Sequence, residues 1–217
     1  MPRCLLIDLD GTLVDSEIAN CRAFLDLLPD LPLTLPQLIA SYRGVQLDRI
    51  IQDLTQRHGI APGADFVPRY RAHVAGLFER ELAAFPGVAE ALERIDLPIC
   101  VASSAPRDKI ATALQITGLA GFFGDRLYSA YDVRAWKPDP AVFLAAATGM
   151  GVTPEQCLVI EDSAVGLAAA RAARMPVLHF TPHEDGDQDA QAEGRFTHWQ
   201  QLPDLLAAAP WGVAMRG

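Results

Sequence analysis

The stretch CLLIDLDGTLVDS, residues 4–16, opens with four apolar residues and then sets two carboxylates, Asp8 and Asp10, on either side of one leucine, just before Gly11. An apolar run without polar alternation suits a strand buried on both faces, so Cys4 to Asp8 is predicted to be an interior strand of a parallel sheet. In an open α/β sheet, ligands bind outside the carboxyl ends of the strands. Acids at i and i+2 beyond such a strand can converge on that rim, and Gly11 lets the backbone turn sharply with its amides pointing inward. A phosphate could sit there. Taken alone, Asp10-Gly11 also reads as an ordinary turn with Asp8 as an incidental cap, so the other strand ends must decide.

Four further apolar runs fit buried parallel strands: Ile99 to Ser103, Arg126 to Ser129, Cys157 to Glu161 and Pro176 to Phe180. Helical patterns separate the later ones. Lys109 to Gly118 ends on Gly, Pro138 to Gly149 begins with Pro and ends with Gly, and Ser163 to Arg174 is rich in Ala. Strand alternating with helix predicts an α/β fold, a Rossmann-like doubly wound parallel sheet. Between the first strand and Pro86 the periodicity is helical only, in Asn20 to Leu28, Pro36 to Tyr42, Leu47 to His58 and Phe66 to Leu82. The expected organisation is a core of residues 1–15 and 84–217 carrying an all-helical cap domain at 16–83, with Phe85-Pro86-Gly87 marking the exit. Thr181 to Gly194, polar and acidic, reads as a mobile surface loop before a last helix around Leu202 to Ala209.

A chain of 217 residues with half its residues hydrophobic can bury a sizeable core. The net charge of −9 argues against nucleic acid or an anionic membrane surface as partner, since either calls for a basic face. A small molecule is the expected partner. Cys4, Cys21, Cys100 and Cys157 lie far apart without a C-x-x-C pair and read as buried free thiols. The apolar run before Asp8 is too short for a signal-peptide core and no stretch is long enough to span a bilayer, so a cytoplasmic location is expected.

The remaining strand ends carry polar groups of matching chemistry. Ser103 follows Ile99 to Ala102, where its hydroxyl and the amide of Ser104 could donate to a phosphoryl oxygen; a plain helix N-cap before Pro106 is the alternative. Lys137 precedes Pro138-Asp139-Pro140, where an ammonium could neutralise phosphate or simply face solvent. Glu161-Asp162 ends the fourth predicted strand, and two adjacent carboxylates at a buried sheet edge repel unless a cation lies between them. With Asp8 they form an all-oxygen set, which suits Mg²⁺. The five His residues share no metal-ligand spacing.

In this order, DLDGTLVDS (8–16), VASSA (101–105), WKPDP (136–140) and VIEDS (159–163) resemble the four motifs of the haloacid dehalogenase superfamily, across essentially the whole chain. A helical insertion right after the first motif resembles the branch of beta-phosphoglucomutases and sugar-phosphate phosphatases. RGVQLDRII (43–51), YDVRAWKPDPAVF (131–143) and RFTHWQQLPDL (195–205) resemble bacterial phosphatases of 6-phosphogluconate in particular. The resemblance implies Mg²⁺-dependent hydrolysis of a small sugar phosphate, a phosphorylated metabolite, with Asp8 as nucleophile and Asp10 as acid and then base. It implies Mg²⁺ on the Asp8 carboxylate, the Asp10 main-chain carbonyl and Asp162, with Glu161 nearer a second layer of ligands. Ser103 and Lys137 would hold the transferring group, with the Gly11 and Thr12 amides as added donors. The cap would close over the site and read the sugar through the Arg43-Gly44 loop, where Arg43 or Arg49 either pairs with a substrate carboxylate or lies on a solvated helix face.

A sugar phosphomutase is the nearest rival reading. Beta-phosphoglucomutases carry His where this chain has Asn20 and Arg where it has Leu47, which weighs against it. Dehalogenases lack the second acid that Asp10 supplies here, and a non-enzymatic phospho-acceptor or binding module would lack the insertion or a motif residue.

Overall fold

The computed structural model describes residues 1–182, 192–208 and 210–216. In chain order the elements are β1 (Cys4–Ile7), α1 (Glu17–Leu27), α2 (Leu35–Tyr42), α3 (Leu47–His58), α4 (Phe66–Glu81), α5 (Val88–Arg94), β2 (Ile99–Ser103), α6 (Arg107–Ile116), α7 (Ala120–Phe123), β3 (Leu127–Ser129), α8 (Ala130–Val133), α9 (Ala141–Gly149), β4 (Cys157–Glu161), α10 (Ala164–Ala172), β5 (Val177–Phe180), β6 (Gly194–Phe196) and α11 (Leu202–Ala207). Among the described residues all six strands are parallel, in the order β3-β2-β1-β4-β5-β6. The order reverses between β1 and β4, the switch point where open sheets of this kind bind ligands.

Successive residues of a strand face opposite sides, and β1 shows the result. Leu5 and Ile7 pack with Val88, Leu92, Ile110 and Leu202, on α5, α6 and α11, whereas Cys4 and Leu6 pack with Phe143, Ala146, Leu167 and Ala170, on α9 and α10. Both faces are covered, which is why the strands read as unbroken apolar runs. The small residues on α9 and α10 let those helices approach the sheet closely. All four cysteines are buried and free, and Cys4, Cys100 and Cys157 lie side by side on the α9/α10 face.

Helices α1 to α4 leave the sheet after β1 and share their own apolar contacts. Phe24, Phe66 and Tyr70 form an aromatic cluster with ring centroids 4.6–5.9 Å apart, and Leu38, Ile50 and Leu54 pack into the same cluster of buried residues. The two chain crossings between these helices and the sheet run side by side: Asp15 N–H donates to Ala83 O at 3.0 Å and Phe85 N–H to Leu13 O at 3.0 Å.

Several elements differ from the sequence reading. β6 adds a sixth strand that begins at Gly194, taken above as the end of a loop; three residues with one exposed Arg between them carry no legible alternation. The segment 183–191 of that expected loop lies outside the described residues, as does Ala209 of the last helix. Helix α9 starts at Ala141 rather than Pro138, because Asp139 precedes a proline and is kept out of the helical region while its carboxylate accepts the Ala141 N–H at 2.9 Å. Helix α5, after Gly87, and the one-turn helices α7 and α8 were not singled out from the sequence at all.

Candidate active site

β1 ends in Asp8, whose N–H donates to Ile160 O at 3.0 Å and so ties it to β4. β4 ends in Glu161 and the next residue is Asp162. Asp8, Glu161 and Asp162 are all buried, and each offers a carboxylate oxygen within 4.8 Å of the others. Lys137 reaches this group from the segment before α9, with Nζ 2.5 Å from Asp8 Oδ1 and 2.8 Å from Glu161 Oε1, and 4.8 Å from the centre of the Phe143 ring. One ammonium faces three carboxylates.

Burial disfavours the charged form of an acid, so Asp8 is pushed up to about 7, against the opposing pull of Lys137 and with help from Glu161 and Asp10. Burial likewise drives Asp162 well above the usual carboxylate range, aided by the charges of Glu161 and Asp8. The same negative neighbours hold Lys137 above its ordinary value even though burial pulls it down. Buried like charges short of a counter-charge are a costly arrangement, and a hard divalent cation on these oxygens relieves it. The donor set therefore fits Mg²⁺.

Gly11 and Thr12 serve Asp162 rather than the cavity. Gly11 has φ +82, and a Cβ there would run into the Asp162 carboxylate, so glycine is needed both for the turn and for the close approach. Thr12 Oγ1 donates to Asp162 Oδ1 at 3.0 Å. Their amides, expected as phosphate donors, are used within the turn: Gly11 N–H donates to Val14 O at 2.9 Å and Thr12 N–H to Leu9 O at 3.3 Å. Trp199 Nε1 donates to Thr12 O at 3.0 Å and anchors the turn from the C-terminal segment, while His179 Nε2 lies 3.1 Å from the Asp162 carbonyl oxygen.

A cavity of about 380 Å³ opens between the ends of the strands and helices α1 to α4, a size suited to a small metabolite. Asp8, Asp10, Ser103, Ser104, Lys137, Glu161 and Gly44 line it. Ser103 Oγ accepts the Ala105 N–H at 3.1 Å, which fixes its rotamer and leaves its proton available. Gly44, at φ +71, rests against Ser163 just beyond β4. Arg43 does not line the cavity, and Arg49 lines a separate hollow with Asp53 and Arg57.

Asp10 stands apart from the buried acids. Its carboxylate accepts Lys109 Nζ on both oxygens at 3.0 Å and the Ser16 hydroxyl on Oδ1. Lys109, on α6, in turn lies 5.3 Å from the Phe78 ring of α4. Glu17 also faces the cavity and is pushed up to about 7, by burial first and by Asp10, against Arg43 and Lys109. The sequence reading passed over both residues. Lys109 left one trace: a cation in the first turn of a helix opposes the helix dipole and needs a local partner.

A doubly wound sheet that sets buried acids at its switch point, under an inserted helical layer with a cavity between, defines an α/β enzyme working at the carboxyl ends of its strands. Residues 2–174 match the haloacid dehalogenase-like hydrolase family, and the chain belongs to it. It is 36% identical over 216 residues to the 6-phosphogluconate phosphatase of Escherichia coli (strain K12), covering 96% of each chain. Among solved structures it resembles a conserved haloacid dehalogenase-like protein of Agrobacterium tumefaciens str. C58, with TM-score 0.84 and 30% identity over 95% of this chain and 98% of that one. A HAD family hydrolase of Deinococcus radiodurans R1, solved with bound phosphate and sodium, gives TM-score 0.78 and 28% identity over 95% of both chains. Among the described residues no helix is long and apolar enough to cross a membrane.

Proposed function

We propose that this chain is a Mg²⁺-dependent phosphomonoester hydrolase, acting on a small sugar phosphate such as 6-phosphogluconate through an aspartyl-phosphate on Asp8. The observation that carries the reading is the buried trio of Asp8, Glu161 and Asp162 with Lys137 among them, open to a metabolite-sized cavity. Likeness over nearly the full length to a 6-phosphogluconate phosphatase supports the substrate class.

Phosphate-monoester hydrolysis is among the slowest uncatalysed reactions, so charge neutralisation and positioning are the main tasks of the site. Asp8 and Asp162 would hold Mg²⁺ with the main-chain carbonyl of Asp10, and Glu161 would support it. Bound there, the ion supplies charge to offset the oxygens of the phosphoryl group. A carboxylate oxygen of Asp8 bonds to phosphorus as the bond to the sugar oxygen breaks, and Asp10 gives that oxygen its proton. Water then attacks phosphorus, Asp10 takes the water proton, and the bond to Asp8 breaks to release phosphate. Ser103, the Ser104 amide and Lys137 keep the transferring group in line.

Residues 16–83 would form a cap that excludes water and reads the sugar through the Gly44 loop. Asn20 and Leu47 both line the cavity, so the positions where phosphomutases carry His and Arg offer here neither an acid–base group nor a cation; this favours water over a second sugar position as acceptor. A cytoplasmic setting accords with four buried free thiols. The test is a phosphate-release screen over phosphorylated metabolites with and without Mg²⁺, run on the native chain and on Asp8→Asn. Mg²⁺-dependent release that vanishes in the variant is expected. Comparable turnover by a folded Asp8→Asn protein would reject the assignment.

A further inference from the structure

Among the described residues three cations line the cavity: Lys137, Lys109 and Arg71. The first two are matched, Lys137 by Asp8 and Glu161 and Lys109 by Asp10. Arg71 differs. Its guanidinium donates to the hydroxyl of Tyr131 at 3.2 Å and lies 6.0 Å from that ring, and among the described residues it pairs with no carboxylate. Tyr131, just beyond β3, is held edge-on by Trp136 with ring centroids 5.1 Å apart.

We propose that Arg71 is a specificity-determining residue that takes the carboxylate of a phosphorylated open-chain sugar acid, with Tyr131 holding its guanidinium at the rim; this rests on the phosphatase reading above. Arg71, Val74, Ala75 and Phe78 all face the cavity from one side of α4, at the spacing of successive helical turns. Phe78 covers Lys109 beside Asp10, so it marks the level of the reacting centre. Arg71 lies seven residues earlier, roughly 10 Å along the helix axis at 1.5 Å per residue. That offset separates the two charged ends of an extended sugar acid and is too long for a short phosphorylated hydroxy acid. A planar guanidinium donates two parallel hydrogen bonds to a carboxylate, and a single unmatched cation suits one negative charge rather than a second phosphate.

Arg71→Ala and Arg71→Lys are to be compared with Arg43→Ala, using 6-phosphogluconate, glucose 6-phosphate and phosphoglycolate as substrates. The readout is the ratio of kcat/KM for the sugar acid to that for the neutral sugar, which cancels general loss of active protein. Arg71→Ala is expected to lower that ratio about ten- to a hundred-fold, the size of one charge-assisted interaction, with partial recovery in Arg71→Lys. In Arg43→Ala the ratio should stay within about two-fold of the native value. An unchanged ratio in Arg71→Ala, or a collapse in Arg43→Ala alone, overturns the proposal. Calorimetric binding of 6-phosphogluconate and glucose 6-phosphate to Asp8→Asn, with and without Arg71→Ala, tests the same residue without turnover. If no phosphate ester is hydrolysed, the phosphatase reading fails, while the affinity ratio still decides the role of Arg71.

Discussion

Asp10 receives Lys109 on both carboxylate oxygens and Ser16 on one, so two donor groups hold its carboxylate in place through three hydrogen bonds. In the proposed mechanism it must also deliver a proton, and that step matters in proportion to the basicity of the leaving group. Asp10→Asn should therefore cost about 10² to 10⁴ in kcat on a sugar phosphate but far less on an activated aryl phosphate. Parallel assays of both substrates measure it, and equal losses would remove Asp10 from leaving-group protonation. Asp8 and Asp10 were legible in the sequence because both follow directly from one strand end. Lys109 and Arg71 were not, because each is one polar residue on an otherwise ordinary helix, and its meaning depends on what lies across the cavity.

Elements rather than single groups bring the inserted helices to the sheet. The loop between α2 and α3 rests its Gly44 on Ser163, at a backbone φ of +71 that a side chain tolerates poorly. A methyl group there would press on Ser163 and push the loop away from the end of β4. Gly44→Ala is expected to lower kcat/KM about tenfold, or ~1.4 kcal/mol, while thermal unfolding stays close to that of the native chain. Steady-state kinetics alongside a melting curve checks this, and native kinetics in the variant would show that the contact is incidental. The loop was recognisable from Gly between two helical patterns. Its seat against the start of α10 was not, since 119 residues separate Gly44 from Ser163 and no local periodicity reports such a meeting. β6 escaped for a similar reason: three residues become a strand only because β5 offers an open edge.

For the molecule as a whole, the buried acids link metal, proton and fold. Asp8 and Glu17 are each raised to about 7, so the native state keeps protons that the unfolded chain releases near 4. The stability they contribute is present at low pH and is lost as pH rises from about 4 through 7. With a chelator present, the melting temperature should fall across that window. Mg²⁺ competes with the proton on Asp8, so its stabilising effect should grow with pH, reaching roughly 5–10 °C at saturating metal near pH 8 and almost nothing near pH 5. Melts with and without Mg²⁺ at both pH values measure the difference, and a pH-independent shift would place the ion elsewhere. The sequence by itself determined the doubly wound sheet, the helical insertion, the acids and Ser103 at the strand ends and Lys137 ahead of a proline-marked helix start, because each rests on a local period or on the residue beside an element's end. Only the tertiary structure decided that Gly11 and Thr12 cradle Asp162, that Asp10 is held by Lys109, and that Arg71 rather than Arg43 faces the cavity. Those relations depend on how helices from distant parts of the chain are rotated and docked, and the packing of whole faces sets that rotation.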